Sequence, residues 1–249
     1  MPLRVELMRQ GGQTGNSRPL YLQIRDKLIE RIRSWQWRPG EPIPTEPKLA
    51  EQYGVGHGTA RQAVGELENE KLVVRIQGAG TFVFQHTPKN VMSRFFSFFD
   101  TAHGRIKPGS RRATVVVAKA NAQERRELDL DARARVIRIN RVRTRRDRPF
   151  MIEAISVPES LFRGLADSED IPDTLYDLYQ RSHRIHVLRT EDHVTAVAAD
   201  RAAARTLGVR TGMPLLKIES VAFAIGDERV EFRVSLCHLD KAYYLAQHK

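Results

Sequence analysis

A single cysteine, Cys237, in 249 residues excludes a disulfide framework within the chain and fits a reducing compartment. No run approaches the ~18 consecutive apolar residues that a membrane-crossing helix needs, and the first residues lack the apolar core of a secretory signal. A cytoplasmic setting is therefore expected. No internal repeat or low-complexity tract is present. Metal chemistry is poorly provided for: His183, His186 and His193 straddle a helix end and a strand, and no cysteine or grouped carboxylate completes a set. No metal and no other cofactor is expected.

What is there suffices for two modest cores, since 41% of the residues are hydrophobic and the length is comfortable for two domains. The stretch from Pro44 to Leu72 organises the first. Leu49, Ala50 and Tyr53 share one helical face, and Gly54-Val55-Gly56 supplies the freedom a tight corner needs. Ala60, Ala63, Val64 and Leu67 then recur at helical spacing, which turns His57, Gly58, Arg61, Gln62 and Gly65 outward. That outer face, small residues plus donors, suits a groove. An ordinary buried helix pair would show the same periodicity.

The flanks separate the two readings. Upstream, Tyr21, Ile24, Leu28, Ile32 and Trp35 form an apolar stripe on a helix stopped by Pro39-Gly40. Downstream, Leu72–Ile76 and Thr81–Phe84 read as strands around Gly78-Ala79-Gly80. A helix before and a hairpin after make a winged helix-turn-helix over 18–86. PLYLQI, PGEPIPTE, LAEQYGVGHGTARQAVGEL and QGAGTFV together closely resemble the DNA-binding domain of GntR-family bacterial transcriptional regulators. The resemblance implies contacts to double-stranded operator DNA from Thr45, Glu46, His57, Thr59, Arg61, Gln62, Gly78 and Gly80. Family members commonly carry Arg at the positions of Pro47, His57 and Arg61. Only Arg61 keeps it here, and Gly56 replaces a usual Ser cap, so Arg61 is expected to carry much of the base readout.

Net charge is no shortcut to that conclusion. The total is +11, yet residues 18–86 carry ten Lys/Arg against eight Asp/Glu, while 87–150 carry seventeen against six. The DNA reader is nearly neutral. The excess in 87–150 fits a solvated face, operator flanks or an anionic ligand equally. Residues 1–17 are expected to form a flexible arm. Residues 87–108 read as a linker whose aromatic knot, Phe95, Phe96, Phe98 and Phe99, docks on the domain that follows, because four exposed phenylalanines would make a sticky patch.

From there to residue 249 the pattern is strands interleaved with short helices. Strands are expected at 114–118, 136–144, 150–157 and 186–197, helices at 122–128, 174–182 and 200–208, and a hairpin of 215–225 with 230–236 turning at Gly226-Asp227. An antiparallel sheet with packed helices follows, an α+β chain as a whole. RVIRINRVRTRRDRPFMIEAISVPESLFRGL, TLYDLYQ, ARTLGVRTGMPLLKIESVAF and VEFRVS resemble the effector-binding UTRA domain of HutC-type GntR regulators, whose fold is similar to chorismate lyase.

Arg141 and Arg143, two apart on a strand, project from one face. A loop centred on Asp147 sets Glu153 opposite Arg141, and a one-residue shift would break the pairing. Ordinary surface ion pairs are the alternative. The resemblance implies an effector site of Arg141, Arg143, Glu153, Thr174, Tyr176, Glu231 and Arg233. Two guanidiniums and a helix start suit a phosphate or carboxylate. Arg233 and Cys237 stand where relatives often have Ser and Tyr, which points away from the sugar phosphates some members bind. The expectation is a homodimeric repressor released from its operator by a small anion. The alternatives are a lyase-like enzyme, opposed by the attached DNA reader and the lack of a nucleophile-base arrangement, and an architectural DNA-binding protein, which has no use for a ligand-sized domain.

Overall fold

Ile24, Leu28 and Ile32 recur every fourth residue and are buried, so Leu20–Arg33 folds as α1 with one apolar face. The structure is a computed structural model and describes residues 18–111, 113–168 and 170–246; the arm expected at 1–17 lies outside the described residues. The chain divides between Val83 and Phe84 into two units.

In the first unit α1 ends earlier than its stripe suggested. Ser34 caps it, Trp35 takes a left-handed backbone at φ 62°, and Trp37 is the buried indole. Trp35 therefore leaves the helix that was expected to carry it. α2 (Glu46–Tyr53) buries Leu49 and Ala50 and stops at Gly54, whose φ of 63° is the left-handed conformation glycine adopts freely. α3 (His57–Asn69) buries Ala60, Ala63, Val64 and Leu67. β1 (Val73–Ile76) and β2 (Gly80–Val83) pair antiparallel from Val73↔Val83 to Ile76↔Gly80. Phe84, expected in that hairpin, falls in the second unit.

The second unit begins where a linker was expected. Thr87 and Asn90 form a reciprocal capping box at the start of α4 (Pro88–Phe95), which buries Val91. β3 (Phe98–Asp100) and β4 (Gly104–Arg105) follow, and β3 also pairs with β12 (Ala242–Tyr244) near the chain's end. Residues 87–108 are folded because Phe95 and Phe98 pack into cores of this unit.

Its main sheet is antiparallel. β5 (Gly109–Ser110) and β6 (Thr114–Lys119) share the outer edge of β7 (Arg135–Arg145). Beyond β7 the order is β8 (Arg148–Pro158), β11 (Arg229–Cys237), β10 (Pro214–Phe223) and β9 (Arg189–Ala198). α5 (Ala122–Glu127) lies between β6 and β7 in the chain, α6 (Leu175–His183) before β9, and α7 (Arg201–Leu207) before β10. His186, expected in β9, precedes that strand and is buried. Tyr176, Tyr179 and Leu175 of α6 pack with Ile137, Ile139, Ile155 and Val157 of the sheet. Ala203, Ala204 and Leu207 of α7 form a separate core with Leu215.

Register places the site. Arg146 and Asp147 form the β7–β8 turn, both at positive φ (49° and 61°). A two-residue turn there, without adjustment, would set Arg141 opposite Ile152. A bulge between Arg143 and Thr144 restores the offset, and Arg141 faces Glu153. Glu153 in turn faces Ser235, and Ile155 faces Arg233, so β7, β8 and β11 present their charged residues to one side.

Candidate functional site

The seven residues singled out in the second unit come together. Arg141 Nε donates to Glu153 Oε2 at 2.6 Å and its Nη1 to the Pro172 carbonyl at 3.0 Å. Arg143 Nη1 donates to Ser110 Oγ at 2.6 Å and to the Asp173 carbonyl at 3.0 Å, while Asp173 Oδ1 lies 3.2 Å away. Arg233 bridges both buried carboxylates: Nη1 reaches Glu153 Oε1 and Nη2 reaches Glu231 Oε1, each at 2.8 Å. Tyr176 and Tyr179 donate their hydroxyls to the two oxygens of Glu231, at 3.2 and 2.7 Å.

Three guanidiniums meet three carboxylates: Glu153 and Glu231 are buried, and Asp173, paired with Arg143 at 3.2 Å, has a side chain 51% exposed. Burial would raise the Glu153 carboxyl, but Arg141, Arg233 and Arg143 outweigh it and hold its pKa down to about 2. Burial, and then the neighbouring Arg141 charge, push the Arg143 guanidinium down to about 10. Burial works against the Arg233 charge too, yet Glu231 and Glu153 raise its pKa well above the usual value. Arg143 is 2% exposed, and its Nε is buried without a hydrogen-bond partner among the described residues. An incoming oxyanion would take the place of the exposed Asp173 carboxylate on the Arg143 guanidinium.

A narrow cleft of about 40 Å³, open to solvent, lies over these groups. Thr174, the N-cap of α6, lines it and makes no side-chain cap bond, which leaves the first N–H groups of the helix for a ligand. Phe95 and Phe96 close another wall, and Phe95 meets Tyr176 edge-on at 4.8 Å. A second hollow of about 40 Å³ shares Phe95, Tyr176 and Arg233 with it and is further lined by Ser220, Ser235 and Asp192. Cys237 is buried beside this site, and burial pushes its thiol upward, so it acts as a small apolar residue.

In the first unit the outer face of α3 is free. His57, Arg61 and Gln62 are exposed and engage no other side chain among the described residues. A Cβ built on Gly58 or Gly65 meets nothing within 4 Å, so intramolecular packing does not require glycine there. Thr59 is half-buried in the first turn. Gly78 and Gly80 shape the hairpin tip at φ 76° and 120°. Thr45 caps α2 through its backbone alone and is exposed. Glu46 is otherwise occupied: Arg75 of β1 holds it at 3.0 Å and also pairs with Glu68 at 3.2 Å, so Glu46 braces α2 against the hairpin.

Sequence reasoning passed over Asp173, Ser110 and Tyr179. The first two act on Arg143 through a turn and a two-residue strand that carry no periodicity. Tyr179 was legible as the residue one turn beyond Tyr176. Among the described residues no cluster of His, Cys, Asp or Glu could hold a metal ion, and no helix is long and apolar enough to cross a membrane.

Comparison with known proteins agrees with this anatomy. Residues 20–83 match the family described as "Bacterial regulatory proteins, gntR family", and residues 103–243 match the UTRA domain. The HTH-type transcriptional repressor NagR of Bacillus subtilis is 30% identical over 82% of this chain and 84% of its own. The mannosyl-D-glycerate transport/metabolism system repressor MngR of Escherichia coli is 26% identical over 93% and 98%. Among solved structures, the ligand-binding domain of a protein assigned to the GntR-family regulators of Bordetella bronchiseptica superposes with TM-score 0.58 at 28% identity, over 63% of this chain and 98% of that one. PhnF of Mycobacterium smegmatis gives TM-score 0.55 at 24% identity, over 91% and 99%, which speaks to fold.

Proposed function

Because the chain belongs to the gntR family of bacterial regulatory proteins and carries its UTRA domain, a transcriptional regulator and not an enzyme, we propose that it is a cytoplasmic homodimeric repressor whose operator affinity is lowered by a small anion. The observation that carries the effector chemistry is Arg143: a buried guanidinium whose Nε makes no hydrogen bond and whose acidic partner Asp173 is half exposed, beside an uncapped helix start. A phosphate or carboxylate supplies what that arrangement lacks. Arg233 narrows the class further. It occupies both Glu153 and Glu231, so neither carboxylate is free to accept from the hydroxyls of a neutral sugar ring.

Arg61, Gln62 and His57 are the side chains proposed to reach base edges, with Thr59 and Gly78 at phosphates and Gly80 and Thr45 near the backbone. Two copies related by a two-fold axis would address the half-sites of a short palindrome. The test is a thermal-shift screen of the full chain against inorganic phosphate, sugar phosphates, dicarboxylates and amino-acid catabolites. Anions should raise the melting temperature of the wild type and leave Arg143→Ala unmoved. Equal shifts in both proteins would place the ligand elsewhere.

A further inference from the structure

A second cavity, larger than the effector cleft, lies at the tip of the β7–β8 hairpin, next along the strands from Arg143. It is open to solvent, between the hairpin tip, the end of α7 and the His238–Asp240 segment. Arg145, Arg146 and Arg148 line it, and Asp240 is the one carboxylate that does so. The geometry points to a binding site for a phosphate-bearing anion with an apolar or aromatic body, of nucleoside diphosphate size, formed by these three arginines.

The guanidiniums are short of partners. Arg145 Nη2 is held by the Asp240 carbonyl at 2.7 Å, while its Nη1 is buried and has no hydrogen-bond partner among the described residues. The same Asp100 carboxylate stands 3.8 Å from both Arg145 and Arg146, beyond hydrogen-bond reach of either. Asp100 is moreover engaged by the Ala102 N–H and by His103. Arg148 is exposed and pairs with nothing among the described residues. Three cations so placed, Arg145 tethered, Arg146 loosely paired with Asp100 and Arg148 exposed, suit the several oxygens of a polyphosphate.

Backbone conformation adds a second observation. Arg146 takes φ 49° at the first position of a two-residue turn, where Asn or Gly is favoured. The turn holds the Arg146 side chain at the hairpin tip beside Arg145 and Arg148. Leu207, Val209 and Pro149 give the cavity an apolar wall, and its volume of about 690 Å³ lies within the ~300–1,000 Å³ of typical small-molecule sites. Concavity favours a free small molecule over duplex DNA, whose phosphates would bridge the rim and leave the apolar wall unused.

The experiment titrates the full chain with fluorescently labelled ADP, with inorganic pyrophosphate and an unrelated DNA duplex as competitors. The variant is Arg146→Asn with Arg148→Gln, which removes both exposed charges and keeps a residue tolerated at positive φ. Circular dichroism checks its fold. Saturable ADP binding displaced by pyrophosphate, weakened tenfold or more in the double variant and retained in Arg143→Ala, is the expected result. Absence of saturable binding overturns the proposal. So does binding lost in Arg143→Ala but kept in the double variant, which assigns ADP to the effector cleft. A double variant that loses only duplex affinity makes the groove a DNA contact and likewise overturns it.

Discussion

Arg141 meets Glu153 at 2.6 Å only because a bulge between Arg143 and Thr144 corrects the offset of a hairpin that turns between Arg146 and Asp147. The bulge keeps three guanidiniums around one buried carboxylate, and the carboxylate is the member on which the others depend. Glu153→Ala should therefore cost about 3–5 kcal/mol of stability, the usual range when one partner of a buried ion pair is removed. Urea denaturation measures this. A loss below ~1 kcal/mol would mean that water reaches the arginines and the cluster is not closed.

Acid should destabilise the second unit in two stages. Burial lowers His86 to about 4 from the ordinary 6.5, and lowers His186 in the same direction. The unfolded chain then binds protons that the folded chain refuses, so stability is fully present above pH 6.5 and falls as pH drops toward 4. His86 alone should account for about 2 kcal/mol between pH 7 and 5. Glu153, held at about 2 against an ordinary 4.5, adds a second loss as pH falls through its folded value. Denaturation at pH 7 and pH 5 tests the first stage. Identical pH dependence in wild type and His86→Phe would contradict it.

Gly58 sits in the first turn of α3 with open space where a Cβ would stand. Gly58→Ala should raise thermal stability by about 0.5–1 kcal/mol, since the helix gains propensity and nothing is displaced. It should also weaken operator binding if the glycine lets the helix approach the duplex closely. A variant more stable and equally tight on DNA would leave the glycine without a role at the interface.

Arg61 is exposed and unengaged on the same face. Arg61→Ala should cost about 1–3 kcal/mol in operator affinity and relax preference at one base position. A selection experiment with random duplexes reads both. An unchanged consensus and affinity would move base readout to Gln62 or His57.

Much of this was legible in the chain. The helix-turn-helix carries a 3.6-residue period interrupted by Gly54, and these are short-range signals. The pairing of Arg141 with Glu153 was reached through a loop centre on Asp147, whereas the fold reaches it by a bulge. The bulge leaves no mark, since Phe150, its extra residue on β8, is an ordinary strand residue. Residues 87–108 hid their structure because α4 is short and its apolar face is completed by Tyr176, some eighty positions downstream. Trp35 misled through spacing alone: the helix ends two residues before it. Asp173 and Pro172 contribute backbone carbonyls to the arginines, and a carbonyl is common to every residue type.

Coupling between effector cleft and operator is the central claim, and Arg143 decides it. The measurement is fluorescence anisotropy of a labelled operator duplex with the full chain, with and without the anion that most raises its melting temperature. Wild type should lose roughly 5- to 150-fold in operator affinity when that anion saturates, a coupling of ~1–3 kcal/mol. Arg143→Ala should bind the operator as tightly as wild type and show no response to the anion. Full release of DNA from Arg143→Ala at the wild-type anion concentration would contradict the claim.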